Sequence, residues 1–137
     1  MINYWIGVAS KNHVLLGIQD GFCQLCHGKK APLIKMKKGD RILYYSPKLD
    51  RNDTQPYQKI IAVGTVVDEE VYSFEMAPGF VPFRRNVVYE EGLKEVTLVA
   101  LNQLTEWTTQ RSKLRFGHFE IPVSLYQSIY HLMKEEN

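Results

Sequence analysis

The chain has 137 residues, enough for one domain with an ordinary core and too few for two. Its residues are 45% hydrophobic and 23% charged with a net charge of +2, a composition that excludes a disordered tail or a fibre. We therefore expect one globular domain over residues 1–137.

The first part of the chain predicts a strand followed by a short helix. Residues 3–9 have the aromatic and β-branched content of a strand. Ser10 follows as a plausible N-cap for a helix over residues 11–18, which Gly21 ends. The expected apolar side of this helix is formed by Val14, Leu15 and Ile18.

The middle of the chain predicts three further strands. Residues 41–46 form the first of these, and Pro47 closes it. Residues 59–68 are rich in Ile and Val and predict the next strand, with Gly64 as a candidate bulge. A further strand is expected at residues 83–90.

The last third predicts two extended segments, at residues 96–101 and 114–121, and a final helix over residues 122–134. The apolar stripe of that helix is formed by Leu125, Ile129, Leu132 and Met133. Five or six strands with helices at the two ends indicate an α+β domain with a curled, mostly antiparallel, barrel-like sheet.

The motif Cys23-x-x-Cys26-His27 has the spacing of a haem attachment site, half of a zinc site or a redox dithiol. The first residues carry no export signal and no apolar run is long enough to cross a bilayer, so we expect a cytoplasmic protein without membrane contact. In that location the two cysteines stay reduced thiols. Covalent haem attachment normally takes place after export, so the missing export signal argues against a haem site. A zinc site needs further ligands, which His13 or His118 would have to supply. We expect two structural thiols, no metal and no cofactor.

Positive charge is concentrated in residues 21–60, which hold nine basic and three acidic side chains. This asymmetry favours an anionic partner, although a solvated surface gives the same pattern. The expected phosphate ligands are Lys29, Lys30, Arg84 and Arg85. A second basic set, alternating along one face if the segment is extended, is formed by Arg111, Lys113 and Arg115.

Four separated motifs together resemble the EVE domain family: YWIGVAS at 4–10, GFCQLCHGKKAPL at 21–33, GDRILYYSP at 39–47 and RFGHFEI at 115–121. That family belongs to the PUA-like superfamily, with the YTH, ASCH and SRA-type domains. The resemblance covers nearly the whole chain and implies a PUA-like pseudobarrel. It also implies nucleic-acid binding, with a pocket that reads a modified base where the first strand, its helix and the next loop meet.

The family's pocket motifs correspond here to Trp5, Ser10, His13, Phe22, Gln24, Tyr45, Ser46 and Pro47. The family's usual loop motif contains Cys23, Cys26 and His27. The chemistry agrees with such a pocket, because a base needs an aromatic floor and polar groups for its edge. The candidate rings are Trp5, Phe22 and Tyr45, and the candidate polar groups are Ser10, Gln24, Ser46, His13 and His27. Each also has a structural alternative: core packing for a ring, helix capping for Ser10, and bracing of the loop for a histidine.

We therefore expect a noncatalytic domain that holds one modified base, flipped from DNA or presented by single-stranded RNA. The alternatives are a general RNA-binding module and a small nucleoside-acting enzyme of ASCH type. A hydrolase triad of Ser46, His27 and Asp40 can be written, but no nucleophile elbow surrounds the serine. A protein-interaction module, with residues 72–83 as its contact surface, is a further possibility.

Overall fold

The computed structural model describes residues 1–135, which form one large sheet with helices on both of its faces. Its strands are β1 Tyr4–Val8, β2 Phe22–Cys23, β3 Arg41–Ser46, β4 Lys59–Val66, β5 Tyr72–Ser73, β6 Phe83–Tyr89, β7 Val96–Thr97 and β8 His118–Ile121. Its α-helices are α1 Lys11–Asp20, α2 Lys30–Ile34, α3 Leu98–Leu101, α4 Thr105–Gln110 and α5 Val123–Lys134, and a 3₁₀ helix spans Arg111–Phe116. These elements confirm the expected α+β class.

The sheet runs in the order β2-β6-β4-β3-β1-β8, with the short strands β5 and β7 added beside β6 and β4. Among residues 1–135 the strand pairings are antiparallel except that of β1 with β3, which is parallel. A parallel pair needs a long crossover connection, and α1, β2 and α2 lie within it. As a result the carboxyl ends of β1 and β3 lie next to each other.

The two faces of the sheet carry separate core clusters, because successive residues of a strand point to opposite faces. One cluster packs against α4 and α5 and includes Ile6, Leu43, Tyr45, Trp107, Leu125 and Ile129. The other packs against α1, α2 and the segment between them and includes Trp5, Val14, Leu25, Leu33, Ile42 and Tyr44. The sheet is thus covered by helical layers on both sides.

Helix α1 begins at the expected residue, ends at Asp20 instead of the expected residue 18, and presents a different face to the core. Ser10 accepts from the backbone N–H of His13, and Gly21 ends the helix in the left-handed region. Val14 and Gly17 are the buried positions, whereas Leu15 and Ile18 are 47% and 37% exposed. A Cβ at position 17 would lie 2.6 Å from the carbonyl oxygen of Phe22, so the glycine lets α1 approach β2 closely.

The register between β3 and β4 corrects the expected position of the bulge. Tyr44 pairs with Ala62 and Tyr45 with Ile60, so the extra residue is Ile61 and not Gly64. Gly64 has a packing role, because a Cβ there would lie 2.4 Å from Cγ1 of Val87. That distance is too short for any side chain, so the side chain of Val87 fits against β4 only because residue 64 is a glycine.

The segment before the last helix is less extended than the sequence predicts. Only Val96–Thr97 of the expected strand 96–101 pairs with the sheet, and Thr97 then caps α3 by accepting from the N–H of Ala100. Residues 111–116 form the 3₁₀ helix, so the expectation that Arg111, Lys113 and Arg115 alternate along one extended face is wrong. Helix α5 is confirmed.

Candidate functional site

Three segments meet at the carboxyl ends of β1 and β3. The N–H of Ala9 donates to the carbonyl of Tyr45 at 3.2 Å, and the N–H of Val8 donates to the carbonyl of Gly117 at 2.9 Å. Ser10 follows β1 here and Ser46 ends β3. We call the region formed by Ser10, His13, Ser46, Pro47 and the turn at Gly117 the strand-end site. Carboxyl ends of parallel strands are common ligand positions, because the loops that follow them open away from the sheet.

The start of α1 is already occupied by internal hydrogen bonds. The N–H groups of Lys11 and Asn12 donate to the carbonyls of Lys48 and Leu49 at 3.0 and 2.9 Å. The hydroxyl of Ser10 accepts from the N–H of His13 at 3.4 Å. These bonds use the amides that otherwise make a helix N-terminus an anion site. Ser10 therefore has a capping role, and the amides of Lys11 and Asn12 are already paired within the protein.

Ser46 is the most unusual residue of the strand-end site. It is fully buried, yet its hydroxyl has no hydrogen-bond partner among residues 1–135. A hydroxyl that loses its water without gaining a partner costs about 1–3 kcal/mol, so most buried hydroxyls are paired. A ligand that supplied a donor or acceptor at this point would remove that cost.

The loop over residues 24–28 adjoins the strand-end site and is held from several sides. The carbonyl of Gln24 accepts from the hydroxyl of Tyr44 at 2.8 Å, and the thiol of Cys26 lies 3.6 Å from the carbonyl of Phe116. Cys26, His27 and Gly28 have φ values of 51°, 64° and 84°. Two consecutive non-glycine residues in the left-handed region store strain, which is concentrated at functional sites in proteins.

Six of the nine expected base-pocket residues come together here. Four lie at the strand-end site, namely Ser10, His13, Ser46 and Pro47. Two more, Gln24 and His27, belong to the adjoining loop. Gln24 is buried, and its side-chain carbonyl accepts from Nε of Arg84 at 2.6 Å, whereas His27 is exposed. Their role in binding stays a prediction.

The three expected rings do not lie together at this site, so the expectation that they form one aromatic floor for the base is wrong. Trp5 is 6% exposed, stacks on His118 with ring centroids 4.6 Å apart, and donates to Asp40 at 3.0 Å. Tyr45 is 5% exposed and packs against Trp107 on the opposite face of the sheet. Phe22 is buried beneath another side chain. Trp5 and Tyr45 lie on opposite faces of the sheet. Tyr45 pairs with Val8, which is three residues after Trp5, and side chains an odd number of residues apart on a strand point to opposite faces.

Arg85 was expected to bind a phosphate group, but the structure shows it inside the protein. It is 2% exposed, and its Nε donates to the carboxylate of Asp68 at 2.6 Å. Its amino groups donate to the carbonyls of Leu33, Met36 and Asp68 at 2.9, 2.7 and 2.7 Å. These bonds join β6 to α2 and to the end of β4, so Arg85 is a structural residue.

Arg84 lies on the other side of β6 between two phenylalanine rings. Its guanidinium carbon is 3.6 Å from the ring centroid of Phe22 and 4.2 Å from that of Phe74. It forms no ion pair with any of residues 1–135. It lines an open cavity of about 490 Å³ with Asp20, Phe22, Tyr72, Phe74 and Asn86. Arg84 is only 5% exposed, whereas Lys29 and Lys30, the other two expected phosphate ligands, have exposed side chains.

Two histidines near the site are held neutral by burial. Desolvation lowers the pKa of His118 to about 4, with a smaller effect of the nearby Lys35 charge. Desolvation likewise lowers the pKa of His13, followed by the charge of Arg84. A neutral imidazole offers one donor and one acceptor. Nε2 of His118 is buried and has no partner within residues 1–135.

Cys23 and Asp40, two of the residues with a possible chemical role, are held by their surroundings. Burial raises the pKa of Cys23 to about 12, which keeps its thiol protonated and unreactive. Over residues 1–135, no three or more His, Cys, Asp or Glu side chains are grouped to hold a metal ion. The carboxylate of Asp40 accepts from the N–H groups of Asn3, Trp5 and Lys37, and these three groups, not His27 or Ser46, are its partners within residues 1–135. No helix in the described part of the chain has the length and apolar character of a membrane span.

Comparison with known proteins places these features in a family. The EVE domain model matches residues 3–132. A UPF0310 protein of Helicobacter hepaticus is 48% identical over 136 residues, which is 99% of this chain and 100% of that protein.

Two solved structures share the PUA-like fold at low sequence identity. The YTH domain of the Zygosaccharomyces rouxii MRB1 protein, in complex with N6-methyladenosine RNA, has a TM-score of 0.68 and 15% identity over 98% of this chain and 88% of that one. Human THYN1, in complex with DNA containing 5-methylcytosine, has a TM-score of 0.54 and 12% identity over 98% of this chain and 99% of that one. The match of the family model over residues 3–132 shows that the chain belongs to the EVE domain family.

Proposed function

We propose that this chain is a noncatalytic nucleic-acid-binding domain that receives one modified base at the strand-end site. The observation that carries the proposal is the buried, unpartnered hydroxyl of Ser46 at the carboxyl ends of β1 and β3. Membership of the EVE family supports it, as do two structures of the same fold solved with N6-methyladenosine RNA and with 5-methylcytosine DNA.

The chemistry of the site suits a base better than a phosphate. Ser46 and the neutral ring of His13 offer uncharged donors and acceptors, as the edge of a base requires. Positive charges lie outside the site on Lys29, Lys30 and the buried Arg84, and we expect the two exposed lysines to contact the backbone of the bound strand. Because Ser46 is fully buried, a base reaches it only when the surrounding segments separate.

A panel of short RNA and DNA oligonucleotides tests the proposal by fluorescence anisotropy at two salt concentrations. It includes N6-methyladenosine and 5-methylcytosine in single strands and duplexes, each beside its unmodified counterpart. We expect at least one modified sequence to bind about tenfold more tightly than its counterpart, the equivalent of about 1.4 kcal/mol. Equal affinity for both members of every pair would indicate general RNA binding, and release of base or product from free nucleosides would indicate an enzyme.

Replacing Ser46 with alanine is expected to weaken binding without weakening the fold. The substitution removes a buried hydroxyl that has no partner, so the free energy of unfolding should stay the same or rise slightly. If that hydroxyl bonds the base, the dissociation constant rises about 2- to 10-fold, the equivalent of one hydrogen bond. Urea denaturation measures the first quantity and anisotropy the second. Ser73→Ala, at an exposed position of β5, is the control. A less stable Ser46→Ala protein with unchanged affinity would assign the hydroxyl a structural role.

A further inference from the structure

Phe116 is an exposed aromatic residue beside the strand-end site that sequence reasoning did not select, although it lies in the RFGHFEI motif. It ends the 3₁₀ helix and is 57% exposed. The guanidinium of Arg115 lies 5.0 Å from the centroid of its ring. An exposed ring beside a cation combines the two features that proteins use to hold a nucleotide of a single strand, a stacking surface and a phosphate contact.

The backbone of Phe116 is fixed between the end of β1 and the loop over residues 24–28. Its carbonyl lies 3.6 Å from the thiol of Cys26, which belongs to the loop over residues 24–28. The following residue, Gly117, adopts a φ of 77°, and its carbonyl accepts from the N–H of Val8 at 2.9 Å. A Cβ at position 117 would lie 3.0 Å from Sγ of Cys26, so the turn packs tightly on the loop. The ring is therefore carried by a rigid turn at the border of the strand-end site.

Single exposed hydrophobic residues are ordinary on protein surfaces, so exposure by itself assigns no role. The surroundings of Phe116 add an independent observation. No acidic residue occurs between positions 107 and 119, whereas Arg111, Lys113 and Arg115 are exposed on the 3₁₀ helix. Lys29 and Lys30 are exposed just beyond the loop that contacts the turn. The ring thus lies within a cationic surface, which matches the charge of a nucleic-acid backbone.

We propose that Phe116 stacks on the base adjacent to the one held at the strand-end site, and that Arg115 contacts the intervening phosphate. This inference rests on the proposed function and specifies its partner as a single-stranded segment. In an intact duplex the adjacent base is stacked on its neighbours and is not accessible to the ring. Because every base has a π-face, the contact adds affinity without selecting the identity of the adjacent base.

The test uses single-stranded RNA with N6-methyladenosine and single-stranded DNA with 5-methylcytosine. Each is prepared in three forms: intact, or with an abasic nucleotide on the 5′ or the 3′ side of the modified base. Stacking contributes about 1–3 kcal/mol per base, so Phe116→Ala should raise the dissociation constant of the intact strand about 5- to 150-fold. The abasic nucleotide on one side should weaken the wild type by a similar factor and should have little effect on Phe116→Ala. Phe116→Tyr, which keeps an aromatic ring, should bind like the wild type.

The outcomes separate this inference from the function on which it rests. If Phe116→Ala binds like the wild type while Ser46→Ala is weakened, the stacking role is overturned and the base site stands. If Phe116→Ala is weakened equally on intact and abasic strands, the ring does not contact the adjacent base, and the inference is wrong. If the wild-type protein binds neither strand, both proposals fail. Phe80→Ala removes a ring that is 46% exposed on the β5–β6 hairpin and should leave affinity unchanged.

Discussion

Replacing Arg85 with methionine is expected to lower the free energy of unfolding by about 3–5 kcal/mol, because it removes one partner of a buried ion pair. The guanidinium is 2% exposed and donates to Asp68 and to the carbonyls of Leu33 and Met36. Methionine fills much of the same volume but leaves those oxygens without a donor. The expected loss is a large fraction of the stability of a domain of this size.

Arg84 provides a matched control for this experiment. It is adjacent in sequence and 5% exposed, but among residues 1–135 it has no ion pair and its side chain makes one hydrogen bond, to Gln24. Arg84→Met should therefore lower the free energy of unfolding by about 1 kcal/mol, the contribution of one such bond. Urea denaturation of the two variants measures the difference. Equal losses would mean that the network around Arg85 contributes no more than the stacking of Arg84 on its two rings.

Acid is expected to destabilise the protein through His118. Burial holds the pKa of its imidazole at about 4 in the folded state, against about 6.5 in an unfolded chain. Between these values the unfolded state binds the proton more strongly. The contribution of neutral His118 to the free energy of unfolding is therefore fully present above the unfolded pKa. It is lost as the pH falls toward the folded pKa. The loss from this residue should reach about 2 kcal/mol at pH 5 and about 3 kcal/mol at pH 4.

His118→Phe isolates this effect from the titration of the carboxylates. Phenylalanine keeps a ring against Trp5, on which the imidazole stacks with an interplanar angle of 10°, and it carries no titrating group. The difference in unfolding free energy between the two proteins should grow in favour of the variant as the pH falls from neutral to about 4. Parallel pH profiles would show that His118 becomes charged without cost in the folded protein, contrary to its burial.

The sequence predicts those elements whose local pattern and tertiary environment agree. Strand β3 occupies the expected residues, and Ser10 caps α1 as expected, because a β-rich run and a helix cap are encoded by adjacent residues. Helix α4 was not predicted, since its sequence TEWTTQ contains weak helix formers. The helix forms around the fully buried side chain of Trp107, whose burial depends on residues distant in the sequence.

The sequence predicts which segments meet at the candidate site, but it does not predict which of their side chains point into it. The expected pocket segments do meet, yet Trp5 and Tyr45 point to opposite faces of the sheet. The alternation of each strand is visible in the sequence, but the register between β1 and β3 is not, because it depends on a parallel pairing across a long connection. The adjacent Arg84 and Arg85 likewise have different roles, since neighbouring residues of a strand face opposite ways.

The position of β1 between β3 and β8 has a consequence for how the chain folds. Tyr4 pairs with both Arg41 and Ile121, so the pairing partners of one short strand are spread over almost the whole sequence. Contacts between such distant positions carry a large loop-closure entropy, which slows folding. During synthesis the sheet therefore lacks one of its pairings until residue 121 has left the ribosome, and any nascent fragment shorter than this exposes an unpaired edge of β1.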